Sequence, residues 1–174
     1  MKATGIVRRI DDLGRVVIPK EIRRTMRIRE GDPLEIYTDA GGQVIFKKYS
    51  PLGELGAFAA QYCEALGSGT SLGVAVTDCD RFIAANGISK KEVIGTSVMP
   101  ELDILMRERR SANGGLEELK IAERPIVAAA PIISAGDVLG SVVLFGGANG
   151  EKAEPSDINL ISVAASFFGR LMEE

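Results

Sequence analysis

Short β-branched segments separated by turn-forming residues make up the first fifty positions of the chain. Gly14 ends a turn at residues 11–14 and is free to adopt positive φ, while Pro19 cannot continue a strand ladder but suits the start of a helix. The elements predicted here are, in order, strands at 4–10 and 15–18, a helix at 20–26, and a hairpin of strands at 34–38 and 43–48. The pattern predicts a mostly β module with a strand, strand, helix, strand, strand order.

Beyond residue 50, apolar residues recur at helical spacing near both ends and in strand-like runs between them. The predicted elements are a helix at 55–66, strands at 72–77 and 81–86, polar helices at 90–95 and 100–110, a hairpin of 125–133 and 138–145, and a closing helix from Ser156, as N-cap, to about residue 172. The closing helix carries a stripe of Ile158, Ile161, Ala165, Phe168 and Met172. This order predicts an α/β domain with an antiparallel sheet and flanking helices.

Charge is distributed unevenly along the chain, although its net value is only −3. Residues 1–50 carry 11 Lys and Arg against 7 Asp and Glu, whereas residues 51–174 carry 10 against 17. The sign changes at Ser50-Pro51, where we expect Ser50 to cap a helix that begins at Pro51. We therefore predict two domains, 1–50 and 51–174, of which the basic one meets a polyanion.

A module of about fifty residues has little interior to bury, and four short strands leave unpaired edges. Pairing with a second copy removes both problems, so we expect residues 1–50 to form an obligate dimer. An alternative is that the module packs on residues 51–174 of its own chain, which the opposite charge permits.

Basic residues cluster on one side of the predicted helix. Ile22 and Met26 lie about 40° apart on a helical wheel and are predicted to form its buried stripe. The cations that share one arc away from that stripe are Lys20, Arg23, Arg24 and Arg27. Further basic residues near the first turn are Lys2, Arg8, Arg9 and Arg15. A single arginine is usually a solvated surface group, but this density on a two-fold symmetric unit favours a phosphate-binding surface.

Three segments strongly resemble the AbrB-type swapped-hairpin DNA-binding domain: KATGIVRR at residues 2–9, LGRVVIP at 13–19 and EIRR at 21–24. The resemblance covers about residues 1–50 and implies an intertwined dimer whose two hairpins come from both chains. It also implies that double-stranded DNA is the partner. The DNA contacts it implies are Arg8, Arg15, Arg23 and Arg24, with Lys2 and Arg9 in support.

The remainder of the chain resembles a GAF-type domain, in which the first and last helices often pack together and dimerise. The stripes of Phe58, Tyr62 and Leu66 and of Phe168 and Met172 either serve that purpose or pack on their own sheet. If both domains dimerise with different partners, a homotetramer follows. The two-domain architecture is similar to that of sporulation regulators of spore-forming Firmicutes, which implies a cytoplasmic, nucleoid-associated protein of the forespore.

Residues suited to catalysis or metal binding are scarce. The chain has no histidine, which excludes Ser-His-Asp triads and His-ligated zinc, and Cys63 and Cys79 form no CxxC pair. The glycine-rich segments at 67–73 and 146–152 lack nucleotide-binding spacing, and no apolar run is long enough to span a membrane. We therefore expect no enzyme activity, catalytic residue, metal or cofactor.

Taken together, these features predict a sequence-specific transcriptional regulator. Its C-terminal domain would hold dimers together and could respond to an unidentified small molecule. One alternative is an antitoxin-like protein-interaction module, because swapped hairpins also occur in antitoxins. Another is a ligand sensor in which DNA binding is secondary.

Overall fold

Ser50 begins a helix instead of extending the strand before it. Its side-chain Oγ accepts a hydrogen bond from the Gly53 N–H at 3.0 Å, and Pro51 occupies the first helical position. The predicted cap is therefore confirmed. The computed structural model describes residues 4–147 and 149–173, and the chain divides at this point into an N-terminal unit, residues 1–49, and a C-terminal unit, residues 50–174.

The N-terminal unit contains one helix and one hairpin among its described residues. They are α1 (Lys20–Thr25), β1 (Leu34–Thr38) and β2 (Val44–Lys48). The strands are antiparallel, with Leu34 opposite Lys48, and Asp39 Oδ1 closes their turn by accepting the N–H groups of Gly41 and Gln43. The short helix and the second hairpin are confirmed.

Residues 4–18 form no strand within the described part of the chain. The turn between the two predicted strands does form: the Asp11 N–H donates to the Arg15 carbonyl at 3.1 Å, and the Gly14 N–H donates to the Asp11 carbonyl at 3.0 Å. A strand needs a second segment to satisfy its backbone groups. Within a single chain, neither arm of this turn finds such a ladder.

Apolar side chains of the N-terminal unit remain exposed. Val7 is 84% exposed and Met26 is 58% exposed, and α1 has no buried residue. The prediction that Ile22 and Met26 form a buried stripe is therefore wrong for the single chain. Among described residues 4–49, only Pro19 is buried, so this unit has no hydrophobic interior of its own against which the stripe can pack.

The C-terminal unit is built around an antiparallel sheet. Its helices are α2 (Pro51–Glu54), α3 (Gly56–Gly67), α4 (Lys90–Val93), α5 (Pro100–Arg107) and α6 (Pro155–Leu171). Its strands are β3 (Gly73–Asp78), β4 (Phe82–Asn86), β5 (Ala112–Asn113), β6 (Lys120–Ile121), β7 (Arg124–Ser134) and β8 (Asp137–Phe145). The strand order is β4-β3-β8-β7-β5, and β6 pairs with β7. Each longer element predicted for this domain is present.

Two apolar cores lie on opposite faces of this sheet, because side chains alternate along each strand. One core joins the sheet to α3 and α6 and includes Leu144 and Phe168. The other lies under α4 and α5 and includes Phe82, Leu102 and Phe145. The unit therefore has three layers, with α3 and α6 together on one side of the sheet.

The N-cap of the closing helix lies two residues earlier than predicted. This N-cap is Glu154 and not Ser156, with Pro155 at the first helical position. Glu154 and Asp157 cap each other's backbone: the Asp157 carboxylate accepts the Glu154 N–H at 2.8 Å, and the Glu154 side chain accepts the Asp157 N–H. Proline favours the first position and the reciprocal cap satisfies two free N–H groups, so the pair prevails over a lone serine.

Candidate nucleic-acid interface

Helix α1 carries the densest group of basic side chains in the N-terminal unit. Pro19 ends the extended segment, and its carbonyl accepts the first helical hydrogen bond, from the Arg23 N–H at 2.9 Å. Lys20 occupies the first turn, and Arg23 and Arg24 occupy the last. All three residues are exposed, so α1 presents a cationic surface to solvent.

Arg27 does not belong to the helical arc that the sequence predicts. The helix ends at Thr25, and Arg27 has the left-handed φ of 52°. The Ile28 N–H donates to the Arg23 carbonyl at 2.8 Å and the Arg27 N–H to the Arg24 carbonyl at 3.3 Å, which is the Schellman pattern of helix termination. The helical-wheel position predicted for Arg27 is therefore wrong, since the helix stops before reaching it.

The turn at residues 11–14 holds a second basic group. Arg8 and Arg9 are exposed on the arm before the turn, and Arg15 begins the arm after it. Arg15 Nε pairs with Asp11 Oδ2 at 2.8 Å, and its N–H donates to Asp11 Oδ1 at 2.7 Å. These bonds, the backbone one first, lower the pKa of Asp11 below its ordinary value. Lys2 lies outside the described residues.

Most of the basic side chains on α1 and beside this turn lack a neutralising acid. Within residues 4–147 and 149–173, those that form no ion pair with a carboxylate are Arg8, Arg9, Lys20, Arg23 and Arg24. They form two groups, one beside the turn and one on α1, separated along the chain by Pro19. Exposed, unneutralised guanidinium groups suit phosphate oxygens, which they bind with two parallel hydrogen bonds.

Lys48 and Asp32 interact near the end of α1, a contact that the sequence did not indicate. Lys48 Nζ lies 3.3 Å from Asp32 Oδ2 and donates to the Arg27 carbonyl at 3.1 Å. Asp32 Oδ2 also accepts the Arg29 N–H at 2.9 Å. In the sequence, residues 30–32 are polar and follow a run of cations. This pattern is typical of an ordinary turn, so it did not indicate that Asp32 contacts Lys48.

Aromatic residues of α3 and α6 pack together in the C-terminal unit. Phe168 is fully buried on the sheet, and Leu66 is buried beside it. The rings of Tyr62 and Phe167 stack with their centroids 5.0 Å apart. Phe167 is 40% exposed and Val163 is 67% exposed. The predicted stripes thus pack partly on their own sheet, and an apolar face of α6 that the sequence did not indicate remains uncovered.

A cavity of about 560 Å³ lies beside α5. Apolar lining comes from Ile104, Leu105 and Leu116, while Glu101, Arg110, Ser111 and Asn113 supply polar groups. This size falls within the range of small-molecule sites.

Asp78 and Cys63 have structural roles in the C-terminal unit. Asp78 Oδ1 accepts the N–H groups of Asp80 and Arg81, and its Oδ2 accepts the Ser50 hydroxyl at 2.9 Å. Burial raises the pKa of Cys63 to about 12, which leaves the thiol protonated.

No cluster of three His, Cys, Asp or Glu side chains that could hold a metal ion occurs in the part of the chain that the structure describes. No helix in that part has the length and apolar character needed to cross a bilayer.

Comparison with known families divides the chain at nearly the same place as the fold. Residues 54–173 match the family described as stage V sporulation protein T C-terminal, transcription factor. Residues 7–53 match the family described as antidote-toxin recognition MazE, bacterial antitoxin.

Individual relatives resemble either the whole chain or one unit. The chain is 46% identical over 187 aligned positions to stage V sporulation protein T of Bacillus subtilis (strain 168), with all of both chains covered. It is 63% identical over 51 residues to the transition state regulatory protein AbrB of the same organism, which covers 29% of this chain and 52% of AbrB. The expected relation of the N-terminal segment to AbrB is confirmed.

A solved structure resembles the C-terminal part of the chain in fold. It is the GAF domain of an Acinetobacter phosphoenolpyruvate-protein phosphotransferase, with a TM-score of 0.54 and 9% identity over 72% of this chain and 84% of that one. At this identity the likeness concerns the fold alone, and it confirms the GAF-like architecture.

Proposed function

Because the chain belongs to the stage V sporulation protein T family of transcription factors, we propose that it is a non-enzymatic regulator of sporulation genes that binds duplex DNA through its N-terminal unit. The residues proposed to contact DNA are Arg8, Arg9, Arg15, Arg23 and Arg24, together with Lys2. Such a protein acts at the nucleoid in the cytoplasm, and in the forespore if the family resemblance extends to the site of action.

The observation that carries this proposal is the set of exposed cations without acidic partners on α1 and beside the turn at 11–14. Phosphate contacts supply most of the affinity of such a surface, and arginines that reach base edges or a narrow groove supply specificity. Arg15 can exchange its carboxylate for a phosphate at low cost, because both partners of this ion pair are exposed to water, which screens their attraction.

The exposed apolar residues of the N-terminal unit support an intertwined dimer. Val7 and Val17 lie on the two arms of the turn and are both largely exposed. Pairing the arms with those of a second chain would supply the missing strand ladder and bury these side chains. The dimer would then bring two copies of each basic group to one duplex.

The uncovered face of α6 supports a second association, through the C-terminal units. Val163 and Phe167 are large apolar residues on one side of a helix whose opposite side is buried in the unit's own core. Pairing of this face in two copies would join two DNA-binding dimers into a tetramer.

The cavity beside α5 supports small-molecule sensing by the C-terminal unit. Its combination of apolar lining with Glu101, Arg110, Ser111 and Asn113 suits a compact ligand that has both apolar and charged groups. A thermal-shift screen with amino acids, nucleotides and central metabolites tests this part, and a uniform lack of stabilisation would argue against it.

The test of DNA binding is a salt titration with the full chain. A duplex enriched from a random pool is labelled, and its affinity is measured by fluorescence anisotropy across a range of salt concentrations. Engagement of every proposed cation in a dimer would give about 12 phosphate contacts and a log–log slope near −11, and half of that engagement gives about −5. A flat salt response would refute the phosphate-binding surface.

The match of residues 7–53 to an antitoxin family favours a second candidate, a protein-interaction module that neutralises a toxin. A folded α/β unit follows the hairpin here, in place of the short disordered tail with which antitoxins normally cover a toxin. Co-purification of a small protein encoded in the neighbouring reading frame, with relief of its toxicity, would support this candidate.

A further inference from the structure

Burial of its own side chains does not fix helix α1 in place. It has six residues, and none of them is buried. A helix this short is unstable in isolation, so its direction depends on what fixes its two ends. Pro19, at the start, is buried, which leaves the C-terminal end as the part whose anchoring decides where Arg23 and Arg24 project.

The C-terminal end has an unfavourable residue at its turning point. Position 27 adopts φ 52°, where helices usually place glycine or asparagine, yet this residue is an arginine. A left-handed conformation is unfavourable for a residue that has a Cβ atom, and it persists only where the surroundings impose it. The bond from Lys48 Nζ to the Arg27 carbonyl is such a constraint, since it ties the turning residue to strand β2.

Asp32 holds Lys48 in place. The Lys48 side chain is 22% exposed and that of Asp32 is 23% exposed, and their 3.3 Å contact joins β2 to the segment that follows α1. The same Asp32 oxygen accepts the Arg29 N–H. We call Lys48 and Asp32, with the Arg27 carbonyl and the Arg29 N–H that they bind, the helix clamp.

We propose that Lys48 and Asp32 are positioning residues for DNA recognition, because the helix clamp fixes the end of α1 against the β1–β2 hairpin and so directs Arg23 and Arg24 toward the duplex. This inference rests on the proposed function. It assigns Lys48 to the protein's own backbone and not to a phosphate, and it makes an acidic residue a contributor to DNA affinity.

The Asp32→Asn variant separates this role from simple electrostatics. Removing a negative charge from a DNA-binding surface strengthens binding when charge alone matters. The helix clamp predicts the opposite sign, a loss of about threefold in affinity, which is the scale expected from losing one weak ion pair. Glu30→Gln is the matched control, because Glu30 is an exposed acid two residues away and its change removes the same charge. It should bind DNA as tightly as the unsubstituted chain, or more tightly.

The Lys48→Met variant tests the same clamp from its other side. Loss of a phosphate ligand from both protomers would make the log–log salt slope shallower by about 1.8, whereas loss of a positioning residue lowers affinity with the slope retained. The Lys48→Met/Asp32→Asn double variant should bind no more weakly than the weaker single variant, since both changes break one unit.

All variants are measured as full chains by fluorescence anisotropy, with urea unfolding as the measure of folding. Asp32→Asn binding as tightly as Glu30→Gln would overturn the proposal, as would a shallower slope for Lys48→Met. If Asp32→Asn fails to fold, the log–log salt slope of Lys48→Met alone tests the proposal. Absence of DNA binding by the unsubstituted chain would instead remove the proposed function itself.

Discussion

Replacing Arg23 and Arg24 together by alanine should weaken DNA binding without disturbing the fold. Both side chains are exposed in the last turn of α1, and neither forms an ion pair within the described residues. Alanine also has a helix propensity at least as favourable as that of arginine. The change therefore removes ligands for phosphate while leaving the free energy of unfolding nearly constant.

The expected size of the effect follows from how many phosphate ligands the double substitution removes. A dimer is deprived of four guanidinium groups, so the log–log salt slope becomes shallower by at most about 3.6, and by about 1.8 if half of the groups bind phosphate. Starting from a slope of about −5, doubling the salt concentration would weaken unsubstituted binding about 30-fold and variant binding about 9-fold.

The assay is anisotropy with one labelled duplex at several salt concentrations. Lys91→Ala/Arg170→Ala is the control, because it removes the same charge from exposed positions of the C-terminal unit. An Arg23→Ala/Arg24→Ala variant with the slope and affinity of this control would refute the assignment of α1 to the DNA interface.

Three further changes test other parts of the account. Arg27→Gly should raise the free energy of unfolding by about 0.5–1 kcal/mol in urea titrations, because glycine tolerates φ 52°; equal stability of Arg27→Gly and Arg27→Ala would contradict this. Gly169→Ala should lower the free energy of unfolding by about 1–3 kcal/mol, because the new Cβ would lie 2.2 Å from the Ile133 carbonyl oxygen. Gly56→Ala is the control, because nothing lies within 4 Å of its new Cβ, and equal loss at both positions would argue against close packing of α6 on β7. Phe167→Ser should halve the mass measured by light scattering if α6 joins two dimers, and an unchanged mass would exclude that face.

The sequence predicted the structural elements that are determined by residues close together in the chain. Ser50-Pro51 identified a helix start because capping and proline at the first position are properties of adjacent residues. The β1–β2 hairpin followed from its turn residues in the same way. At the start of α6, the sequence offers two possible N-caps, Ser156 and Glu154. The serine is the more common N-cap residue, and the sequence alone does not show that Glu154 and Asp157 cap each other.

Features that depend on the end of an element or on a second chain were not predictable in this way. A helical wheel places Arg27 with Arg23 only if the helix continues, and the Schellman turn ends it first. The apolar pattern around Val7 indicates a strand but not which chain supplies the partner strand. The Lys48–Asp32 contact joins residues 16 positions apart in a polar segment and has no periodic signature.

Arginine footprinting of the full chain tests most directly whether the N-terminal unit binds duplex DNA. The protein is treated with phenylglyoxal with and without a selected duplex, and modification at each arginine is measured by mass spectrometry. Arg8, Arg9, Arg15, Arg23 and Arg24 should be protected by DNA, whereas Arg107 and Arg170 in the C-terminal unit should react equally in both samples. Protection confined to the C-terminal unit, or protection nowhere, would contradict the account.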